Sequence, residues 1–201
     1  MGIDKNEWGF RVGHLPHGGR NKISDVPGVT VGHCTLADGD IQTGVTALLP
    51  HPGDVFHDKV LAACHVINGF GKTTGLVQID ELGTLETPIL FTNTLSVGTV
   101  ETALVKYMLE RNPDICETTG SACGNGSGEI VLAFTTANRM PHYSDKALLP
   151  MEMLHDDAIN PLFRAVAECV EESVLSSLLH AETVTGYHGR TVQCLSDLLK
   201  K

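Results

Sequence analysis

Leu162, Val166, Val170, Val174 and Leu178 recur at every fourth position of one otherwise mixed segment, and nothing else in the sequence restricts the fold as much. Side chains four residues apart stand above one another on a helix, so this spacing predicts a helix of about five turns with one apolar stripe. Asn160 is suited to cap its start, and Pro161 to the first helical position. Glu168, Glu171 and Glu172 fall off the stripe. A stripe of that length is expected to pack on a sheet.

The rest of the chain supplies candidates for that sheet. "VPGVTVGHCTL" alternates Val29, Val31 and His33 after a Pro-Gly turn and reads as a strand. "TGVTALLP" and "KVLAACHVING" are short apolar runs bounded by Gly, Pro and Asp, which predicts buried strands, and "TPILFTNT" predicts another. "GLVQIDELG" predicts a short helix ending at Gly83. Val97, Val100, Leu104 and Met108 mark one face of a second helix that Pro113 stops. A Gly-, Thr- and Asn-rich connection then leads to the strand "EIVLAFTT", and residues 137–156, with Pro141 and Pro150, are expected as a loop. Helices and strands interleave, so the fold class is α/β or α+β. Residues 1–21, rich in Gly and His, are expected as an irregular arm, and 22–201 as a single domain.

Composition narrows the function. The 201 residues include 42% apolar ones, enough for a real core. The net charge of -10, with only 14 Lys and Arg scattered singly, argues against nucleic-acid binding. "MGIDKNEWGF" has no apolar core of a signal peptide, and no apolar run reaches the roughly 20 residues that cross a bilayer. The six cysteines form no CxxC pair and are expected as reduced thiols, most of them packed as small hydrophobes, in a cytoplasmic protein.

Three motifs bear on chemistry. "NGFGKTTG" resembles a phosphate loop but has Val66 where the pattern needs its first glycine, so a glycine-rich turn is the better reading. The ten histidines lack metal-ligand spacing: His14 and His17 fall in the arm, His51 and His57 in a loop, His33 and His65 on separate strands. Surface or core histidines are therefore the favoured reading over a metal site. "TGSACGNGSGEIVLAF" is richer. Asn125 and Glu129 occupy the places where a nucleophile elbow around Ser127 needs glycine, so Ser127 is not that nucleophile. Ser127 and Glu129 are two residues apart at a strand entry, and period-two alternation puts both on one face. A hydroxyl beside a carboxylate can orient a proton for a third group. The alternative is a glycine turn entering a strand with Glu129 solvated.

The runs "ISDVPGVTVGH", "QTGVTALLP", "HVINGFGKTTGLVQIDELGTLETPILFTNTLSVGTV", "TGSACGNGSGEIVLAF" and "AETVTG" together resemble the P1 peptidase family of DmpA-type L-aminopeptidase/D-esterases and β-peptidyl aminopeptidases. The resemblance runs from about Arg20 to Leu195. It implies an αββα sandwich similar to N-terminal-nucleophile hydrolases. It also implies self-cleavage before a serine that then attacks amides, esters or short peptides, chemistry without a metal or organic cofactor, and assembly as a homo-oligomer. By the same resemblance Ser127 and Glu129 match the residues that support the nucleophile, and Asn93, in "TNTLSVG", matches a segment near the substrate pocket. One departure stands out. The internal block that carries the family's nucleophilic serine is not found between "LERNPDI" and "TGS". The sequence thus suggests an internal deletion with its junction near 115–119, or a longer enzyme of which this sequence omits that block, and a sheet that lacks strands. Ser121, Cys116 and Cys123 are the nearest replacement nucleophiles. A non-catalytic assembly or binding protein is the alternative function.

Overall fold

The computed structural model describes residues 12–113 and 129–199. They cluster into two compact units, one of residues 19–35 and 43–152, the other of 12–18, 36–42 and 153–199, each described here by itself.

The first unit holds two three-stranded sheets, apart from the tip of one hairpin, residues 36–42, which clusters with the second unit. β1 (Thr30–Asp38) and β2 (Ile41–Leu49) form a hairpin through Gly39 and Asp40, and β2 continues the sheet by antiparallel pairing with β5 (Ile89–Thr92), giving the order β1-β2-β5. The second sheet has the order β4-β3-β6, from Thr84–Leu85, Asp58–Asn68 and Glu129–Pro141. Here β3 and β6 run antiparallel from Asp58 opposite Pro141 to Asn68 opposite Glu129, with register slips between Val60 and Ala62 and between Val66 and Asn68. β6 therefore extends through the first residues expected as a loop. Arg139 Nη1 donates to Asp58 Oδ2 at 2.6 Å across the pair, and Pro141 ends the strand, where its missing N–H costs no ladder bond.

The core of this unit is small. Val60, Ile79 and Leu85 are buried together, with Ala62, Leu76, Ile89, Leu132 and Phe134 against them. Ile79 comes from α1 (Leu76–Leu82), which ends where the sequence predicts: Gly83 has φ 65 and donates its N–H to the Ile79 carbonyl at 2.9 Å. The second helix, α2 (Val97–Arg111), turns Val97, Val100, Leu104 and Met108 inward as expected. His51 is a core residue, 1% exposed. Its Nδ1 accepts from Gly53 N at 3.1 Å, so its Nε2 carries the proton and donates to the Asp58 carbonyl at 2.8 Å.

In the second unit the long helix forms as predicted, α3 (Asn160–His180), followed by the β7–β8 ribbon (Val184–Thr185 with Thr191–Val192) and α4 (Leu195–Leu199). Asn160 is not its cap. A 3₁₀ turn at Asp156–Ala158 feeds straight into α3 through Ile159, which already has helical φ and ψ, and the side-chain cap is His155, whose Nδ1 accepts from Asp157 N.

The faces of α3 are reversed from expectation. The stripe is exposed: Leu162 52%, Val166 60%, Val170 60%, Val174 56% and Leu178 47%. The covered side includes Leu179 and the carboxylates of Glu168 and Glu172, which are 18% and 17% exposed. The cause is the arm. Glu168 accepts from His14 N at 3.0 Å and Leu15 N at 3.1 Å, and His17 Nε2 lies 3.8 Å from Glu172. Gly13 has φ 70, and a Cβ there would meet the Glu168 carboxyl carbon at 2.4 Å. The expected burial fails in two more places, since β1 is exposed along its length and the second half of β3 is largely so. Cys194 packs as a buried thiol, but Cys34 and Cys169 are exposed, because each lies on one of these uncovered surfaces.

Candidate active site

Ser127, and with it Ser121, Cys116 and Cys123, lies outside the described residues. Glu129 opens β6, its backbone paired with Asn68 at the far end of β3, one step from the register slip at Val66. Asn68 holds the following glycine-rich turn by accepting from Phe70 N at 3.1 Å. The turn "NGFGKTTG" leads through Gly75, at φ 86, into α1, which is the strand-to-helix connection that the sequence predicts.

Asn93 sits where β5 gives way to a 3₁₀ turn at Thr94–Ser96 and then α2. Its Oδ1 accepts from Leu95 N at 3.0 Å and Ser96 N at 3.1 Å, and its Nδ2 donates to Ser96 Oγ at 2.9 Å and to Thr43 Oγ1 on β2. Both lone pairs and both amide hydrogens are used. Asn93 therefore caps a helix entry and pins it to the neighbouring strand.

Beside it lies a groove of about 390 Å³ on the β1-β2-β5 sheet, lined by His33, Thr43, Thr46, Phe91 and the segments joining them. His33 Nδ1 is 2.8 Å from Thr46 Oγ1, and Thr46 stands opposite Phe91, so the three side chains form one row across the strands. Thr92 Oγ1 donates to the Gly44 carbonyl at 3.0 Å. Gly44 is needed at the floor, because a Cβ there would come within 2.5 Å of the Cys34 carbonyl oxygen. The sequence places His33 on a strand separate from that of His65 and gives it no partner motif. The usable signal was the two-residue turn at Gly39–Asp40, which pairs position 33 with 46.

Among the described residues no group of three or more His, Cys, Asp or Glu could hold a metal ion, and no helix is long and apolar enough to cross a membrane. Two carboxyl and thiol groups are shifted. Backbone N–H donation, from His14 first, holds Glu168 below the usual glutamate range, and the Ser196 hydroxyl, then Thr183, lowers the Cys194 thiol.

Comparison with known proteins places this geometry. A sequence model described as Peptidase family S58 matches residues 21–122 and again 117–192. β-Peptidyl aminopeptidase BapA of Sphingosinicella microcystinivorans is 37% identical over 102 residues, and that of Sphingosinicella xenopeptidilytica 38% over 107. These alignments take in 46% and 48% of this chain, and the chain spans only 26% of either relative. Among solved structures, the PH0078 protein from Pyrococcus horikoshii OT3 superposes with a TM-score of 0.89 at 29% identity, covering 98% of each chain. A Burkholderia sp. β-aminopeptidase gives 0.86 at 23%, again over 98% of both. The L-aminopeptidase D-Ala-esterase/amidase from Ochrobactrum anthropi, described as a variant of the Ntn hydrolase fold, gives 0.80 at 18%, over 92% of this chain and 93% of that one. The DmpA-type α/β fold expected from the sequence is the fold these structures share with this chain, and the two three-stranded sheets of the described residues fit the expected partial sheet.

Proposed function

The chain belongs to peptidase family S58, and from that premise we propose that it is a serine hydrolase of the aminopeptidase type, directed at amino-terminal amides, esters and short peptides. The observation that carries this reading is the family match, which runs in two segments from residue 21 to residue 192. In this reading Ser127 and Glu129 orient and relay a proton for a nucleophile, Asn93 shapes the approach to the substrate, and backbone N–H groups hold the oxyanion. The chemistry is acyl transfer without a metal or organic cofactor. A nucleophile, for which Ser121, Cys116 and Cys123 are the nearest candidates in this chain, adds to the carbonyl, the amine leaves with a proton, and water releases the acid.

The self-processed serine that normally performs the attack is absent from this chain, with the junction near 115–119. The two matched segments meet at 117–122, which supports that junction. So does Asn112, at the end of α2, whose buried Oδ1 has no hydrogen-bond partner among the described residues. The exposed stripe of α3 and the uncovered β1 favour a second reading, a non-catalytic assembly protein, and in either case a homo-oligomer.

Release of p-nitroaniline from amino-acid p-nitroanilides by the purified chain tests the proposal. The hydrolase reading expects turnover that falls at least about 100-fold in Ser127→Ala. Turnover abolished by Ser121→Ala and untouched by Ser127→Ala overturns the role of Ser127. No turnover from well-folded protein favours assembly.

A further inference from the structure

We propose that the free edge of β1 is a self-pairing surface, on which two copies of this chain join antiparallel about a two-fold axis at Cys34. The inference rests on the homo-oligomer of the proposed function, names a contact for it, and does not depend on turnover. β1 is paired on one side only among the described residues, and all nine of its residues, Thr30–Asp38, are exposed. Edges that stay single are commonly guarded by lysine, proline or an inward-pointing charge. β1 has no such guard. No Asp, Glu, Lys or Arg stands between Asp25 and Asp38, in a chain whose net charge is -10, so this edge meets a second copy with little repulsion.

The register follows from the direction of the backbone groups. A Cβ on Gly44 would come within 2.5 Å of the Cys34 carbonyl oxygen, so the polar groups of Cys34 face β2. In an antiparallel ladder, successive residues point their N–H and C=O to opposite sides. The free edge therefore offers the groups of Val31, His33, Thr35 and Ala37. A two-fold at Cys34 matches these to one another, His33 with Thr35 and Val31 with Ala37 of the second copy. It is also the axis that pairs all nine residues. Leu36, 56% exposed, then lies over the bare backbone of Gly32, and each Asp38 stands opposite Thr30, at far ends of the ribbon. The β1-β2-β5 sheets of the two copies, three strands each, become one sheet of ordinary size. Cys34 meets its own copy at a non-hydrogen-bonded position, where Cα atoms stand about 4.5 Å apart, within reach of a disulfide.

Sedimentation of the full chain and its oxidation by 4,4′-dipyridyl disulfide test the pairing together. Two Cys34 thiols give up two protons and two electrons to form one disulfide, and the oxidant leaves as two molecules of thiopyridone. The expected product is a covalent dimer whose tryptic digest joins two copies of fragment 23–59, in which Cys34 is the one cysteine. Thr35→Pro removes an outward N–H from each copy and leaves the β1–β2 ladder whole. It should weaken association at least about 10-fold and slow the cross-link to match, with thermal melting showing that the variant folds. Val31→Lys, which guards the same edge by charge, should do likewise. A chain that sediments as a single protomer overturns this contact and the homo-oligomer together. Assembly that survives both variants but is lost in Val166→Glu with Val174→Glu overturns the β1 pairing and keeps the oligomer. A Cys34 cross-link as fast in Thr35→Pro as in the unaltered chain marks random collision and overturns the pairing as well.

Discussion

His51 shows how a residue type that invites a metal or catalytic reading can be committed to structure. Both ring nitrogens are satisfied by backbone groups, Gly53 N and the Asp58 carbonyl, inside the turn that launches β3. His51→Ala leaves those two groups unpaired at a fully buried site, so chemical denaturation should report a loss of roughly 2–4 kcal/mol. Gly44 is constrained from the opposite side. Gly44→Ala forces a Cβ against the Cys34 carbonyl, which is backbone and cannot swing away, and should cost about 1–3 kcal/mol in the same experiment. Asn93→Ala removes a helix-entry cap and should cost about 1 kcal/mol even where turnover is not measured.

At the scale of elements, α3 carries the sharpest lesson. Its existence and length were legible because a fourth-residue stripe has one simple interpretation. Its orientation was not, because a stripe says which face is apolar and not which face has a partner. Glu168 decided the matter locally by offering one carboxylate to two backbone N–H groups of the arm. This contact has a definite pH signature. The folded-state pKa of Glu168 is depressed, so its hold on the arm is present above the ordinary glutamate pKa and is lost as pH falls through the lowered value. Hydrogen exchange at the His14 and Leu15 amides should be slow near neutrality and accelerate, relative to the intrinsic rate, on acidification. Glu168→Ala should make it fast throughout. Protection that persists in Glu168→Ala would show that other contacts hold the arm. The strands were legible for a similar reason, as were α1 with its Gly83 stop and α2. The run of β6 to Pro141 was not, since the Arg139–Asp58 pair that extends it joins residues 81 positions apart.

On the scale of the whole molecule, the described chain buries too little of what it carries. The apolar stripe of α3, β1 and the end of β3 all face outward, which a solitary domain tolerates poorly. If the stripe joins copies of the chain, Val166→Glu with Val174→Glu should lower the sedimenting mass towards one protomer. The change should cost the protomer little, within about 0.5 kcal/mol per site, because both side chains are already exposed. An unchanged mass would exclude α3 as the joining surface. The sequence resemblance anticipated both the family and the fold. The candidate site was less legible: Ser127 and Glu129 rest on local spacing, whereas the groove around His33 exists only once a hairpin and a third strand are assembled.

The central claim is the proposal that this chain, a member of family S58, works without a serine freed by self-cleavage. Intact-mass spectrometry of the purified chain, before and after prolonged incubation, tests it most directly. A single species at 21.5 kDa that never divides is the predicted result. Two fragments whose masses sum to one chain would contradict it.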